Sequence, residues 1–361
     1  MTAPAPTGGP AAIEVADDAQ SGSSELDPAA ARAVAEHLFD RGWTDGLPTL
    51  PATEDEVERF LAHTDRDPDE ILARLPQLDK QATVRDITVH AIMAGCRPEY
   101  LPVVLTAWEA LSADRTAIGG AWQSTSGPSP VVIVNGPIRQ RLELNSAGGI
   151  FGPGFRPNAT IPRAIGLTVR NSLGVVPHEL EQATQGVPGR WAQCFGEAEE
   201  RSPWESFATE LGLDEGADAV SVILARTSEF VDNRHFNDPI EVLRDFADSM
   251  QRTGPWIFPT SACLLVLNPD HARVLAEAGW SKQDVREWLV EHAGKTEAQL
   301  AAVGKALSRG DQRFDDDHFH PVFAEPTPEH LPIVVGGSPN AAISMVVRVF
   351  SRWPGKAFRI H

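Results

Sequence analysis

The chain is short of cysteine. Cys96, Cys194 and Cys263 are the only three in 361 residues. They form no disulfide framework, and an odd count fits a reducing compartment, so a cytoplasmic location is expected. Positive charge is also scarce. Lys and Arg number 31 against 50 Asp and Glu, for a formal net charge of −19. A chain this acidic repels phosphate backbones, which argues against a nucleic-acid binder. No apolar run approaches the ~18–20 residues of a membrane span. Met1 to Asp18 carries neither the basic cluster nor the apolar core of a secretory signal, so no membrane partner is expected. Against these absences stand 42% apolar and 22% charged residues, a globular composition. The length suits two lobes or one large α/β unit.

Residues 1–27 are rich in Ala, Pro, Gly and Ser and are expected to form a disordered arm. Helical patterning starts with Asp27 as N-cap, Pro28 in the first turn, and a stripe of Ala31, Val34, Ala35 and Leu38. Thr53 with Glu56 predicts a capping box on a second helix. Further helices are predicted over Thr83–Gly95 and Pro98–Leu111, with a break at Gly95–Arg97, since Pro98 suits a first turn. Val131–Val134 reads as a buried strand, Leu144–Asn158 as a glycine-rich loop, and Thr160–Leu173 as a helix. Beyond residue 210 the pattern alternates. Strands are predicted at Ala219–Leu224, Cys263–Leu267 and Ile333–Val335, and helices at Pro239–Met250, Pro269–Ala278 and Ser281–His292. Gly310–Pro328 reads as a polar loop. The expectation is an α/β protein: a helical N-terminal part, then two lobes (28–210 and 211–361) with mixed or mostly parallel sheets covered by helices.

Several stretches carry a family resemblance. They are Arg41-Gly-Trp-Thr-Asp-Gly-Leu-Pro48, Met93-Ala-Gly-Cys-Arg-Pro-Glu-Tyr-Leu-Pro102, Asn135-Gly-Pro-Ile-Arg139 and Asn145-Ser-Ala-Gly-Gly149. Gly152-Pro-Gly154, Asn158-Ala-Thr160 and Ala278-Gly-Trp-Ser-Lys282 belong with them. Together they resemble the UGSC-like bacterial proteins, over roughly residues 35–361. Some relatives in that family are selenoproteins with a Sec-Gly-Ser-Cys motif. This chain has no Cys-Gly-Ser-Cys, so selenoprotein redox chemistry does not carry over directly.

Two constellations point to chemistry. Cys96 precedes Arg97-Pro98 at what reads as a helix start. A helix N-terminus and a neighbouring arginine both stabilise a thiolate, so a lowered pKa and a catalytic role for Cys96 with Arg97 are expected. The plainer alternative is a small buried hydrophobe. Cys263 reads as core. Cys194 lies near Glu197, Glu199 and Glu200, which would raise its pKa. The second constellation runs from Arg139 to Arg170. It holds Arg139, Arg141, Arg156, Arg163 and Arg170 against Glu143 alone, a local net charge of +4. Gly148, Gly149, Gly152 and Gly154 let backbone amides approach a ligand, and Asn145, Ser146, Asn158 and Thr160 add neutral donors. An anion site centred on Arg163 is expected. The glycine spacing matches neither a Walker loop nor a dinucleotide fingerprint.

Near the C-terminus, Gly336-Gly337 ends a strand, and Arg348, Arg352, Lys356 and Arg359 repeat the basic theme. In open α/β sheets ligands gather at the carboxyl ends of strands, so Gly336 and Gly337 are further binding candidates. His318 and His320 beside Asp315–Asp317 are the weaker metal candidates; with no second ligand cluster, no metal is expected. His271 reads as a cleft residue or a helix cap, Asp45 as a turn residue, and Lys282 as a helix-start residue behind Ser281. Two functions fit. One is an enzyme of bacterial small-molecule metabolism, including secondary metabolism and biosynthesis, acting on a small anionic metabolite. It would be a cysteine-dependent lyase or transferase, or a thiol oxidoreductase. The other is a non-catalytic metabolite-binding or accessory protein; a metal-dependent hydrolase or lyase comes third. No cofactor is named by the sequence, and homo-oligomerisation is left open.

Overall fold

The computed structural model describes residues 27–235, 237–252, 261–351 and 353–361. The expected disordered arm lies outside them, apart from Asp27. Asp27 caps α1 (Pro28–Asp40) by accepting from the amide of Ala29. Of the expected apolar stripe only Leu38 is fully buried, while Val34 is exposed. Half of the capping box forms on α2 (Glu54–Leu61). Thr53 accepts from the Glu56 amide, but the Glu56 carboxylate turns to Arg59. A hairpin of β1 (Ile71–Leu75) and β2 (Lys80–Thr83) leads into α3 (Val84–Ala94), where Thr83 and Asp86 cap each other's amides. Gly95, at φ 89°, ends α3 in the left-handed conformation that glycine adopts without strain. Pro98–Tyr100 make a single 3₁₀ turn before α4 (Leu101–Ala113). The expected fourth helix therefore becomes α-helical three residues late.

After α5 (Arg115–Ile118) come β3 (Ser129–Asn135), α6 (Ile138–Arg141), α7 (Arg156–Asn171), β4 (Gln193–Gly196) and α8 (Phe207–Glu210). The remaining order is β5 (Ala219–Asp232), α9 (Pro239–Gln251), β6 (Cys263–Leu267), α10 (Pro269–Glu277), α11 (Lys282–His292) and β7 (Gly294–Thr296). The chain closes with α12 (Glu297–Ala301), β8 (Phe319–Pro321), β9 (Ile333–Val335), β10 (Ile343–Val349) and β11 (Phe358–Arg359). Three of these elements depart from expectation. Helix α7 starts four residues early, which places Asn158 and Thr160 inside it. Strand β5 runs eight residues past Leu224, through polar residues. Within the expected polar loop, Phe319–Pro321 pair with β7.

The class is α/β, with one mixed sheet in the order β4-β3-β5-β10-β6-β9 and β11 paired to β5. Pairs β3–β4 and β6–β9 are parallel and the other pairs antiparallel. Strands from before and after residue 210 belong to this same sheet. Its two faces follow the period of two. On β3, Val132 and Val134 join α3, α4 and α7 in the largest core cluster, whereas Val131 and Ile133 face the other way. On β6, Cys263, Leu265 and Leu267 pack with α9, α10 and α11, whereas Leu264 and Val266 face the same layer as Val131 and Ile133. That layer also holds Phe195, Phe207, Val334, Val347 and Trp353. No described helix is long and apolar enough to cross a membrane.

Candidate functional site: a cleft between two glycine turns

At the carboxyl ends of β6 and β9, the glycine-rich loop after α6 meets the turn after β9. The amide of Gly337 donates to the carbonyl of Ser146 at 3.0 Å, and the amide of Gly336 donates to Leu267 at 2.9 Å. The approach at 336 is tight, for a Cβ there would stand 3.1 Å from Cδ1 of Ile150, which would have to shift to admit it. Between the turns lies a cleft of about 480 Å³. Gly148, Gly149, Gly152, Gly336 and Gly337 contribute to its wall; Gly154 does not. Phe151, Phe230, Val266, Ile343 and Met345 supply apolar surface. Met345 pairs with Phe230 on one side and Val266 on the other, so these three side chains share one face of the sheet. Phe230 is 71% exposed, on the outer part of β5 beyond its pairing with β3.

Polar residues expected to hold a ligand bond to the loop and its surroundings. Asn158, buried in the first turn of α7, accepts from the Asn145 amide and donates to the carbonyls of Asn145 and Cys194. Asn145 accepts from the Ala147 amide and donates to the Gly148 carbonyl. These bonds tie the loop to β4 and to α7. Thr160 spends its hydroxyl on the carbonyl of Arg156.

Cys96 is 5% exposed and lies at the C-terminal end of α3, with its amide bonded to the Ala91 carbonyl. The helix start read from Pro98 is the single 3₁₀ turn, which carries little dipole. Burial pushes the thiol up to about 12, outweighing Thr160, Arg156 and Arg163, all of which pull it down. The expected lowering of its pKa is overturned. Arg97 beside it is exposed. Cys194 is raised too, by burial and by nearby Cys96 rather than by the neighbouring glutamates, and burial pushes Cys263 up to about 12. All three thiols should therefore alkylate with iodoacetamide at pH 8 at least about a hundredfold more slowly than in urea-unfolded protein. Rapid labelling of native Cys96, mapped by peptide mass spectrometry, would contradict this.

Three of the five arginines in the window are paired with acids from distant parts of the chain. Arg139 is buried and donates to Glu199, Glu200 and the carbonyl of Glu197. Arg141 pairs with Asp218. Arg163 forks onto both oxygens of Asp45, at 2.8 and 2.9 Å, and reaches the carbonyls of Ala94, Leu47 and Pro48. Burial pushes the Asp45 carboxyl up, and the Arg163 fork more than offsets this, helping to hold it below its usual value. Arg156 and Arg170 donate to the carbonyls of Gly95 and Gly42. None of the five lines the cleft. At the C-terminus, Arg348 donates to the Ser249 carbonyl and Arg359 pairs with Asp214; Arg352 lies outside the described residues.

His320 is buried and its Nε2 meets Glu297 at 2.9 Å, while His318 stacks on Phe314. Backbone amides of Ser308 and Leu307 hold Glu297 down to about 2, against the pull of burial. Among the described residues, no group of three or more His, Cys, Asp and Glu is placed to hold a metal. His271 is buried, with Nδ1 at 2.7 Å from Ser344 Oγ and Nε2 at 3.1 Å from the Asn233 carbonyl. Ser344 pairs with Val231 and sits on the α10 side of the sheet, opposite Met345, so this pair fastens α10 to β10. Lys282 does more than start a helix: it is buried and pairs with Glu210.

Sequence reading missed Phe230, Met345 and Asn268. Asn268 caps α10 and donates to the carbonyls of Ser338 and Ala341, which fixes the second turn. Its signal was the Asn-Pro pair that opens α10. Comparison with known protein families, curated proteins and solved structures finds no match for this chain.

Proposed function

We propose that this protein binds a small molecule in the cleft between the glycine turns, and that this binding is its function rather than thiol chemistry at Cys96. The observation that carries the reading is the convergence of two glycine turns, over an apolar floor, at the carboxyl ends of the parallel strands β6 and β9. Such a crevice is the usual ligand position in α/β sheets, and its volume falls in the ordinary range for small-molecule pockets. The segments Asn145–Gly149 and Asn158–Thr160, which resemble motifs of the UGSC-like proteins, hold the glycine-rich wall in place, in keeping with a ligand-binding use of the cleft. Buried thiols and engaged arginines favour binding over cysteine catalysis.

Met345→Trp places a bulky ring on the cleft floor. A fragment library of neutral aryl and alkyl compounds, screened by ligand-observed NMR, should yield hits whose affinity falls at least tenfold in this variant. Cys96→Ser should keep those hits. Hits retained in Met345→Trp but lost in Cys96→Ser would place the ligand elsewhere.

A further inference from the structure

Among the described residues, the lining of the cleft contains no Asp, Glu, Lys, Arg or His. An apolar pocket with no ion cannot hold a charged ligand cheaply, because the ligand gives up its hydration for nothing of opposite sign. The protein's own net charge of −19 adds a further penalty for an anion.

Where the two glycine turns meet, unengaged donors converge, while the Asn340 carboxamide, which can donate or accept, sits exposed at the rim. Gly148 and Gly149 line the cleft, and among the described residues their amides bond to no protein acceptor. Gly149 stands at φ 73°, a left-handed residue within a glycine pair. Successive amides in such a turn form a concavity that accepts an electronegative atom. The Ser338 hydroxyl, which accepts from the Asn340 amide, keeps its own proton for donation across the gap. Gly148 and Ser338 face each other, for a Cβ built on Gly148 would stand 3.4 Å from the Ser338 Cβ. The acceptor-capable side chain of Asn268 is already engaged, with Oδ1 taking the Asp270 amide.

Donors at one end and apolar side chains over the rest define a complementary shape. Resting on the cleft reading above, we infer that the ligand is an uncharged carbonyl compound: an amide, ester or ketone with an aryl or alkyl body. Its carbonyl oxygen accepts from the Gly148–Gly149 amides and Ser338. Its body lies on Met345 and Val266 beneath the free Phe230 ring.

Three probes of matched size test this: 4-phenylbutanamide, 4-phenylbutanoate and 4-phenylbutylammonium. Protein labelled with ¹⁵N-glycine is titrated with each at pH 7.5, and the Gly148 and Gly149 amide signals are assigned by their loss in Gly148→Ala and Gly149→Ala. The amide probe should shift both signals and bind at least tenfold more tightly than either charged probe. Met345→Trp should abolish the shifts, and Ser338→Ala should weaken the amide probe several-fold while leaving the others unchanged. If the charged probes equal or exceed the amide and all three lose affinity in Met345→Trp, the cleft reading stands and the neutral-carbonyl inference falls. If no probe binds up to 10 mM, or Met345→Trp changes nothing, both fall.

Discussion

Glu210→Ala is expected to cost about 3–5 kcal/mol of folding stability, the scale found when one partner of a buried ion pair is removed. The carboxylate of Glu210 serves two buried cations at once. Its Oε1 accepts from Arg286 Nη1 at 2.6 Å and its Oε2 from Lys282 Nζ at 3.2 Å. Lys282 also donates to the Glu205 carbonyl and Arg286 Nε to the Leu331 carbonyl, but neither bond supplies a charge. Arg286 Nη2 is buried without a partner, so this group is under-satisfied even with Glu210 present. The next carboxylate, Glu197, is fully buried. Desolvation raises its pKa, and the Lys282 charge only partly offsets that. Alanine at 210 thus leaves an ammonium and a guanidinium charge in a medium that solvates them poorly. Urea unfolding gives the measurement, and a loss below about 1 kcal/mol would show that water reaches the cluster. The triple change Glu210→Leu, Lys282→Met and Arg286→Met should regain most of the loss, because an apolar replacement removes all the charges together.

The second large effect depends on pH. His90 is fully buried in α3, neither ring nitrogen has a hydrogen-bond partner, and burial holds its pKa down to about 4. In the unfolded chain the imidazole titrates near 6.5. Above pH 6.5 the ring is neutral in both states and costs nothing. Between pH 6.5 and about 4 the unfolded chain binds a proton that the folded protein refuses, so stability falls as pH falls. At 1.36 kcal/mol for each pH unit, the loss reaches roughly 3 kcal/mol and then levels off. His271, lowered by burial too, acts in the same direction. Glu197 and Asp114, whose carboxyls burial raises, act in the opposite direction. The comparison of wild type with His90→Leu isolates the one group. The variant should be the more stable of the two at pH 4.5 by about 2–3 kcal/mol relative to their difference at pH 7.5. Parallel stability curves for the two proteins would show that the ring is solvated in the folded state.

What could be read from the sequence was local. Thr83 with Asp86, Gly95, and the Asn268-Pro269 pair mark helix ends by side-chain chemistry that acts over three or four residues. The glycine turns at 148–152 and 336–337 were legible for the same reason. Strand β5 was only half legible, because past Leu224 the segment Arg226–Glu229 has no apolar alternation; its pairing with β10 supplies what its own residues do not. Strand β4 has four residues and no pattern of its own. The charge count along the sequence was incomplete for a physical reason. Charge counted along a window says nothing about Asp45, Asp218, Glu199 and Glu200, which folding brings to the arginines from up to 118 positions away. Cys96 failed similarly: Pro98 marks a chain restart, but the thiol belongs to the end of the helix before it.

The sheet order β5-β10-β6 also governs how the protein is made. β10 is next to last among the strands to leave the ribosome, yet it is the strand that joins β5 to β6. Until Val349 has emerged, the outer half of β5 and the whole of one edge of β6 display unpaired amides and carbonyls. Synthesis at ~5–20 residues per second keeps those edges open for several seconds after each strand appears. The polar run Arg226–Glu229, which hid β5 from view in the sequence, puts charge on the exposed edge during that interval, where an apolar run would recruit another nascent chain.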